Sequence, residues 1–245
     1  MAAYDGRGHG ATRAKNETDL SVDRLTEDAG EILAVVSREV GKNTRIVLVG
    51  HSAGASIVVH LADSLKDAAW ADVVGVAALD MVGGTALQIA DGIEAYLRTR
   101  PASFSSLREA VCWSVRSGFV TNPRSAALSI PGCLIQTESN GRWTWRTDVL
   151  ASKTHWTGWF ARMSPTFLKL RASKLLILTG IGRLDTELTV AQMQGKFALK
   201  ILRCGHMVHE NAPGAVFDAI EGFVDRSIQI ASLRKRPVDG AGGGD

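Results

Sequence analysis

The chain has 245 residues, 45% of them hydrophobic, and a formal net charge of +3. That length and apolar content can bury one sizeable core, so a single domain is expected. The basic residues are scattered, with Arg234-Lys235-Arg236 the one short run, which excludes the concentrated stripe that a nucleic-acid surface needs.

The three cysteines, Cys112, Cys133 and Cys204, stand at no metal-ligand spacing and suit reduced thiols in a cytosolic-type compartment. No apolar run approaches the ~20 residues of a membrane span, and the N-terminus lacks the apolar stretch of a signal peptide. A soluble, intracellular protein is therefore expected.

In chain order, Ser21 caps a helical stripe formed by Val22, Leu25, Ala29, Ile32, Leu33, Val36 and Val40. Thr44–Gly50 is a short aliphatic run that reads as a buried strand, and Ile57 and Leu61 mark a helix after Ser52. Val73–Leu79, Lys174–Gly180 and Phe197–Arg203 read as further buried strands. Pro213 opens a helix carrying Val216, Ile220, Phe223 and Val224. Strands alternating with helices argue for a parallel sheet covered on both faces. Residues 85–170 break the alternation: they hold every tryptophan except Trp70, show helical periodicity and contain no convincing strand. They are expected to form a helical insertion. Gly240 to Asp245 reads as a flexible tail.

Within this pattern, I-V-L-V-G-H-S-A-G-A-S-I-V at 46–58 sets Ser52 between two glycines where a strand should turn into a helix. A nucleophile elbow needs that arrangement. The turn is strained, the glycines let neighbouring backbone pass without a Cβ clash, and Oγ is presented at the top of the sheet. The Ala53 N–H would face the oxyanion position at the helix N-terminus. The plainer alternative is a phosphate-binding or ordinary strand–helix turn, and the flanking strand and helix favour the elbow.

A serine nucleophile needs a base and an acid that orients it. Of the six histidines, His206 follows the last expected strand and can reach back over the sheet. His209 reads as its flank, and His51 adjoins Ser52 with its side chain directed away. His9 lies in an early loop, and His60 and His155 fall within helical segments. The H-M-V-H-E run at 206–210 would suit zinc on a helix, but Gly205 and Pro213 bracket an expected loop. Asp80 and Asp185 both follow strand C-terminal ends, where open α/β sheets place their sites; either could equally be a turn residue or a helix cap.

These residues, taken with the runs around them, resemble the protein phosphatase methylesterases, a family of α/β-hydrolases. The resemblance runs through nearly the whole chain: Y-D-G-R-G-H-G at 4–10, V-G-H-S-A-G at 49–54, L-D-M-V-G-G-T-A at 79–86 and E-A-V-C-W-S-V-R-S-G at 109–118. It continues in T-W-R-T-D-V-L at 144–150, W-T-G-W-F at 156–160, G-R-L-D-T-E-L-T-V-A-Q-M-Q-G-K-F at 182–197 and C-G-H-M-V-H-E at 204–210. It implies an α/β-hydrolase domain over 1–238, with 85–170 as a cap and 239–245 as tail. It also implies Ser52 as nucleophile, Asp80 as orienting acid, His206 as general base and Ala53 as oxyanion donor. The implied reaction is cofactor-free and metal-free hydrolysis of the C-terminal leucine methyl ester of the type 2A protein phosphatase catalytic subunit. That partner implies a cytoplasmic location, with the nucleus as a second site, and neither nucleic acid nor membrane as a ligand. The cap tryptophans and Met193 would shape a groove for the phosphatase tail, although tryptophans at helical spacing are more often core.

The chain departs from the family's pattern at Gly83, where the family has an acidic residue, at Gly182, where it has an aspartate, and at Ala53, where methionine is usual. The family also carries strands and a glycine-rich oxyanion loop before Y-D-G-R-G-H-G, whereas here Met1 stands almost on the first expected strand. Residues 1–245 alone are therefore expected to aggregate readily and to be at least ~100-fold less active than a chain with those strands. A general small-ester carboxylesterase and an inactive phosphatase-binding fragment are the rival readings. A dinucleotide binder is poorer: G-R-G-H-G at 6–10 lacks a third glycine opening a helix.

Overall fold

The Ser21 side chain accepts a hydrogen bond from Arg24 N at 3.3 Å and opens helix α1, Val22–Val40. Its apolar stripe packs on helix α2, Ala53–Ser64, which also covers strand β1, Arg45–His51, and strand β2, Asp72–Leu79. The structure, a computed structural model, describes residues 1–41, 44–84 and 90–234. The expected tail at 239–245, Lys235 and Arg236 of the basic run, and Thr85 lie outside the described residues.

β1 and β2 join strands β6, Ser173–Leu178, and β7, Ala198–Ile201, in a parallel sheet of order β1-β2-β6-β7. Helices α1, α2 and α7 (Met163–Lys169) lie against the core on one face; helix α10, Pro213–Arg234, packs against β2 and β6 on the other. The α10 contact is close. A Cβ at Gly75 of β2 would stand 3.0 Å from both Phe223 and Ser227, so glycine lets the helix settle on the strand.

All four sequence-predicted strands form, but two are not buried as expected. β2 and β6, with neighbours on both sides, run into continuous burial. β1 alternates, leaving Val49 41% exposed, and β7 is mostly exposed. Both are edge strands among the described residues, and a strand paired on one side only leaves part of its surface uncovered.

Residues 1–6 form no strand, contrary to expectation. Turns replace it. Gly8 and Gly10 take φ values of 72° and 51°, and a Cβ at Gly10 would collide with the Asp5 carboxylate at 2.0 Å. The Asp5 carboxylate accepts from Ala11 N at 2.9 Å. Arg7, nearly buried, donates to both Asp28 carboxylate oxygens at 2.7 and 2.8 Å and to the carbonyls of Lys15 and Asn16. This bidentate pair ties the opening loop to α1.

The insertion is not purely helical. Helices α3 (Ala90–Arg98), α4 (Leu107–Ser117), α5 (Pro123–Ser129) and α6 (Trp156–Phe160) accompany a small antiparallel sheet. Its strands, β3 (Ser103–Phe104), β4 (Leu134–Gln136) and β5 (Trp143–Trp145), are ordered β3-β5-β4. Runs of two or three residues are too short to show alternation. Trp113, Trp143 and Trp145 pack with Phe104 and Ile130 as a separate core, and the Arg100 guanidinium lies 3.5 Å over the Trp145 ring. These tryptophans are partly buried against that core.

Candidate active site

The sheet register brings the site together. His51 of β1 stands opposite Leu79 of β2, which stands opposite Ile177 of β6, so the three strands end within one residue of each other. The ladder then runs one step further: Ser52 N donates to Leu79 O at 3.0 Å, and Asp80 N donates to Ile177 O at 2.7 Å. Both side chains therefore leave the same carboxyl end of the sheet.

Ser52 adopts φ 54° and ψ −124°, a conformation rare for any residue with a Cβ. α2 begins at Ala53, whose N–H belongs to the first-turn amides that have no acceptor within the helix. The two glycines of the motif differ. A Cβ at Gly50 would lie 2.1 Å from the Gly54 carbonyl oxygen, so the close passage of strand and helix requires glycine there; a Cβ at Gly54 would meet nothing within 4 Å. The clearance expected of both glycines is needed at one.

His206 hangs from the loop between β7 and the short helix α9, Val208–Asn211. Its Nε2 is 3.1 Å from Ser52 Oγ and its Nδ1 is 2.7 Å from Asp80 Oδ2. With Asp80 ionised, Nδ1 carries the proton and donates to the carboxylate, which leaves Nε2 as acceptor for the Ser52 hydroxyl. Asp80 is fully buried, whereas the His206 side chain is 45% exposed and reachable by water.

Burial pushes the Asp80 carboxyl upward. The His206 hydrogen bond, the Arg183 guanidinium and the Thr179 N–H together outweigh that and hold it below the ordinary carboxylate range. Arg183 Nη1 donates to Asp80 Oδ2 at 2.9 Å, and Thr179 N and Oγ1 each lie 3.0 Å from Oδ1. Neither residue was singled out in the sequence, although Arg183 stands two positions before Asp185 in the G-R-L-D-T-E-L run. Asp185 itself caps helix α8, Thr186–Met193, accepting from Leu188 N at 2.8 Å and from Ser164 Oγ at 2.7 Å. It is not joined to His206.

The other histidines separate as follows. His9 borders the cavity beside Ser52, and His60 lies within α2. His155 ends the 3-10 stretch Val149–His155 before α6. His209 and Glu210 lie on α9 where a loop was expected: one helical turn fits between Gly205 and Pro213. Among the described residues, no group of histidine, cysteine, aspartate and glutamate side chains could hold a metal.

A cavity of about 330 Å³ opens beside Ser52 and Ala53, lined chiefly by Ile57, Met81, Ile93, Trp156, Trp159 and Phe160. Trp159 Nε1 donates to Leu20 O at 2.6 Å, and Ser56 Oγ donates to the Trp159 carbonyl, so α6 is fastened to α2 and to the start of α1. Met193 is 81% exposed on α8 and lies outside the lining of this cavity. Gly83 lies against α6 and α7, where a Cβ would stand 2.5 Å from the Phe160 carbonyl oxygen; at Gly182 a side chain would meet open space.

The arrangement is a serine–histidine–aspartate relay above an apolar pocket. A sequence profile of the alpha/beta hydrolase family matches residues 2–219. Protein phosphatase methylesterase 1 of Gibberella zeae is 38% identical over 94% of this chain and 59% of its own length. That of Yarrowia lipolytica is 41% identical over 94% of this chain and 54% of its own, and the Homo sapiens protein 33% over 92% and 68%. The chain thus spans little more than half the length of the two fungal relatives.

Among solved structures, E-2-(acetamidomethylene)succinate hydrolase superposes with a TM-score of 0.70 at 18% identity, covering 90% of this chain and 80% of that one. An esterase from Mycobacterium tuberculosis gives 0.64 at 21%, covering 90% and 73%. Both show the same fold. By profile, fold and sequence identity, the chain belongs to the alpha/beta hydrolase family and, within it, to the group of the protein phosphatase methylesterases.

Proposed function

We propose that the chain is a serine carboxylesterase that removes the methyl ester from the C-terminal leucine of the type 2A protein phosphatase catalytic subunit. The observation that carries this reading is the chain of contacts Ser52 Oγ–His206 Nε2 at 3.1 Å and His206 Nδ1–Asp80 Oδ2 at 2.7 Å. The methyl-ester substrate is supported by the names of the relatives.

In this reading, Ser52 Oγ attacks the ester carbonyl carbon as His206 Nε2 takes its proton. The carbonyl oxygen becomes an oxyanion facing the Ala53 N–H at the start of α2. Asp80 holds the imidazolium through Nδ1–H, aided by Arg183. The tetrahedral intermediate collapses, His206 returns the proton to the leaving methoxide oxygen, and methanol departs. Water, admitted past the exposed face of His206, then attacks the acyl-enzyme with the same histidine as base. A free carboxylate and Ser52 are regenerated. The reaction needs no cofactor.

Ile57, Met81 and Trp156 line the cavity beside Ser52, and its volume of about 330 Å³ has room for the apolar acyl side of an ester. Turnover of methylated phosphatase catalytic subunit should be compared with that of a short p-nitrophenyl ester. Release of methanol from the phosphatase at a higher kcat/KM than hydrolysis of the small ester supports the reading. Hydrolysis of the small ester alone would make the chain a general carboxylesterase.

A further inference from the structure

His51 immediately precedes the nucleophile, yet its ring is turned towards the base. Its Nε2 lies 2.8 Å from the main-chain carbonyl oxygen of His206, a contact between positions 155 residues apart. A carbonyl only accepts, so Nε2 carries the hydrogen and donates. The same carbonyl accepts from Val208 N at 2.8 Å, at the entry to α9. The His51 ring is also packed between two others, with centroids 4.7 Å from His206 and 4.6 Å from His209.

We propose that His51 is a positioning residue for the general base: its imidazole N–H holds the His206 main chain where the His206 ring spans Ser52 and Asp80. This rests on the reading of Ser52, His206 and Asp80 as the catalytic relay. Asp80 fixes Nδ1 of the His206 ring, but a ring hydrogen bond does not fix the backbone from which the ring hangs. That backbone is a loop, and the His51 contact supplies a second fixed point from the end of β1. Because Ser52 follows His51 directly, the anchor and the nucleophile move as one rigid piece of strand, and the 3.1 Å approach is set within it.

The groups facing His51 favour a permanent donor. Burial, with the His206 and His209 rings adding to it, pushes the His51 imidazole down to about 3, against the hydrogen bond to the His206 carbonyl and the Asp80 charge. His209 is itself lowered, by burial first, with Glu210 at 3.8 Å as its acidic neighbour. A neutral His51 keeps one N–H for the carbonyl across the working range of an esterase. The more ordinary role of a buried histidine is to fill space. A ring of similar size without the N–H separates the two roles.

The test uses the full chain and three variants. His51→Phe keeps an aromatic ring and removes the donor, His51→Gln keeps an N–H donor on a flexible stem, and His51→Asn is too short to reach the carbonyl. Four measurements are made on each: kcat and KM on a p-nitrophenyl ester, the rate of phosphonylation by a fluorophosphonate, the thermal midpoint, and the low-field proton resonance of the His206–Asp80 hydrogen bond. His51→Phe is expected to lower kcat by about 10- to 100-fold, the cost of a misplacement near an ångström, with KM within about twofold of wild type. It should also broaden the low-field resonance, and His51→Gln should recover most of both. A folded His51→Phe chain with wild-type kcat and an unchanged resonance would overturn the proposal. If that variant does not unfold cooperatively, His51→Asn decides by the same two readings. A wild-type chain that does not react with the fluorophosphonate would instead overturn the catalytic reading, and this inference with it.

Discussion

Arg183 and His206 share one oxygen of Asp80. Oδ2 accepts from Arg183 Nη1 at 2.9 Å and from His206 Nδ1 at 2.7 Å, while Oδ1 accepts from Thr179. The carboxylate is thus saturated with donors inside the fold, which explains how a fully buried acid stays ionised.

Removing the Arg183 donor should be visible in pH dependence. The Asp80 carboxyl is held below its ordinary value, so its contribution to stability is complete above the unfolded-chain pKa near 3.8 and is lost as pH falls through the lower folded value. Arg183→Gln takes away one of the groups opposing burial, so the folded pKa rises and the acid limb of stability moves to higher pH. Thermal midpoints measured between pH 3 and 7 should show that shift. Turnover at neutral pH should fall by roughly tenfold or more, since a hydrogen bond to a charged group contributes ~1.5–3 kcal/mol.

The two acids can be ranked by substitution. Asp80→Asn should lower ester turnover by about 10⁴-fold, because an amide there favours the wrong histidine tautomer. Asp185→Asn keeps a capping side chain on α8 and should leave turnover within a fewfold of wild type, with a stability change of about 1 kcal/mol or less. Steady-state kinetics on both variants checks this. The reverse ranking would place the orienting acid after β6.

Gly50 and Gly54 look equivalent in the motif and differ in space. Gly50→Ala should destabilise the chain and abolish turnover, because its Cβ would sit 2.1 Å from the Gly54 carbonyl oxygen. Gly54→Ala meets open space on α2 and should be neutral or stabilising by up to ~1 kcal/mol. Chemical denaturation of the two variants measures both effects.

What could be read from the sequence follows the length of each signal. The strands of the parallel sheet and the helices at Ser21, Ala53 and Pro213 announce themselves through apolar runs and caps several residues long. The three strands of the cap are two or three residues each, too short to show alternation, so the small sheet was hidden. The opening segment looked like a strand end, but Gly8, Gly10 and the Arg7–Asp28 pair make it a set of turns. Ser52 and His206 could be found from local pattern alone, since each lies within two residues of a glycine just past an expected strand. The choice of Asp80 over Asp185 needed the resemblance, because both follow strands. Arg183 and Thr179 act on Asp80 across 103 and 99 positions, a proximity created only by the register of β2 and β6.

The proposed chemistry depends on Ser52 as the nucleophile. The most direct measurement is intact-mass analysis of the chain after exposure to a fluorophosphonate, followed by peptide mapping of the adduct. One adduct is expected, on Ser52, with labelling lost in Ser52→Ala while the thermal midpoint is preserved, since alanine keeps the Cβ and the same turn. An adduct on any other residue, or one that survives in Ser52→Ala, would contradict it.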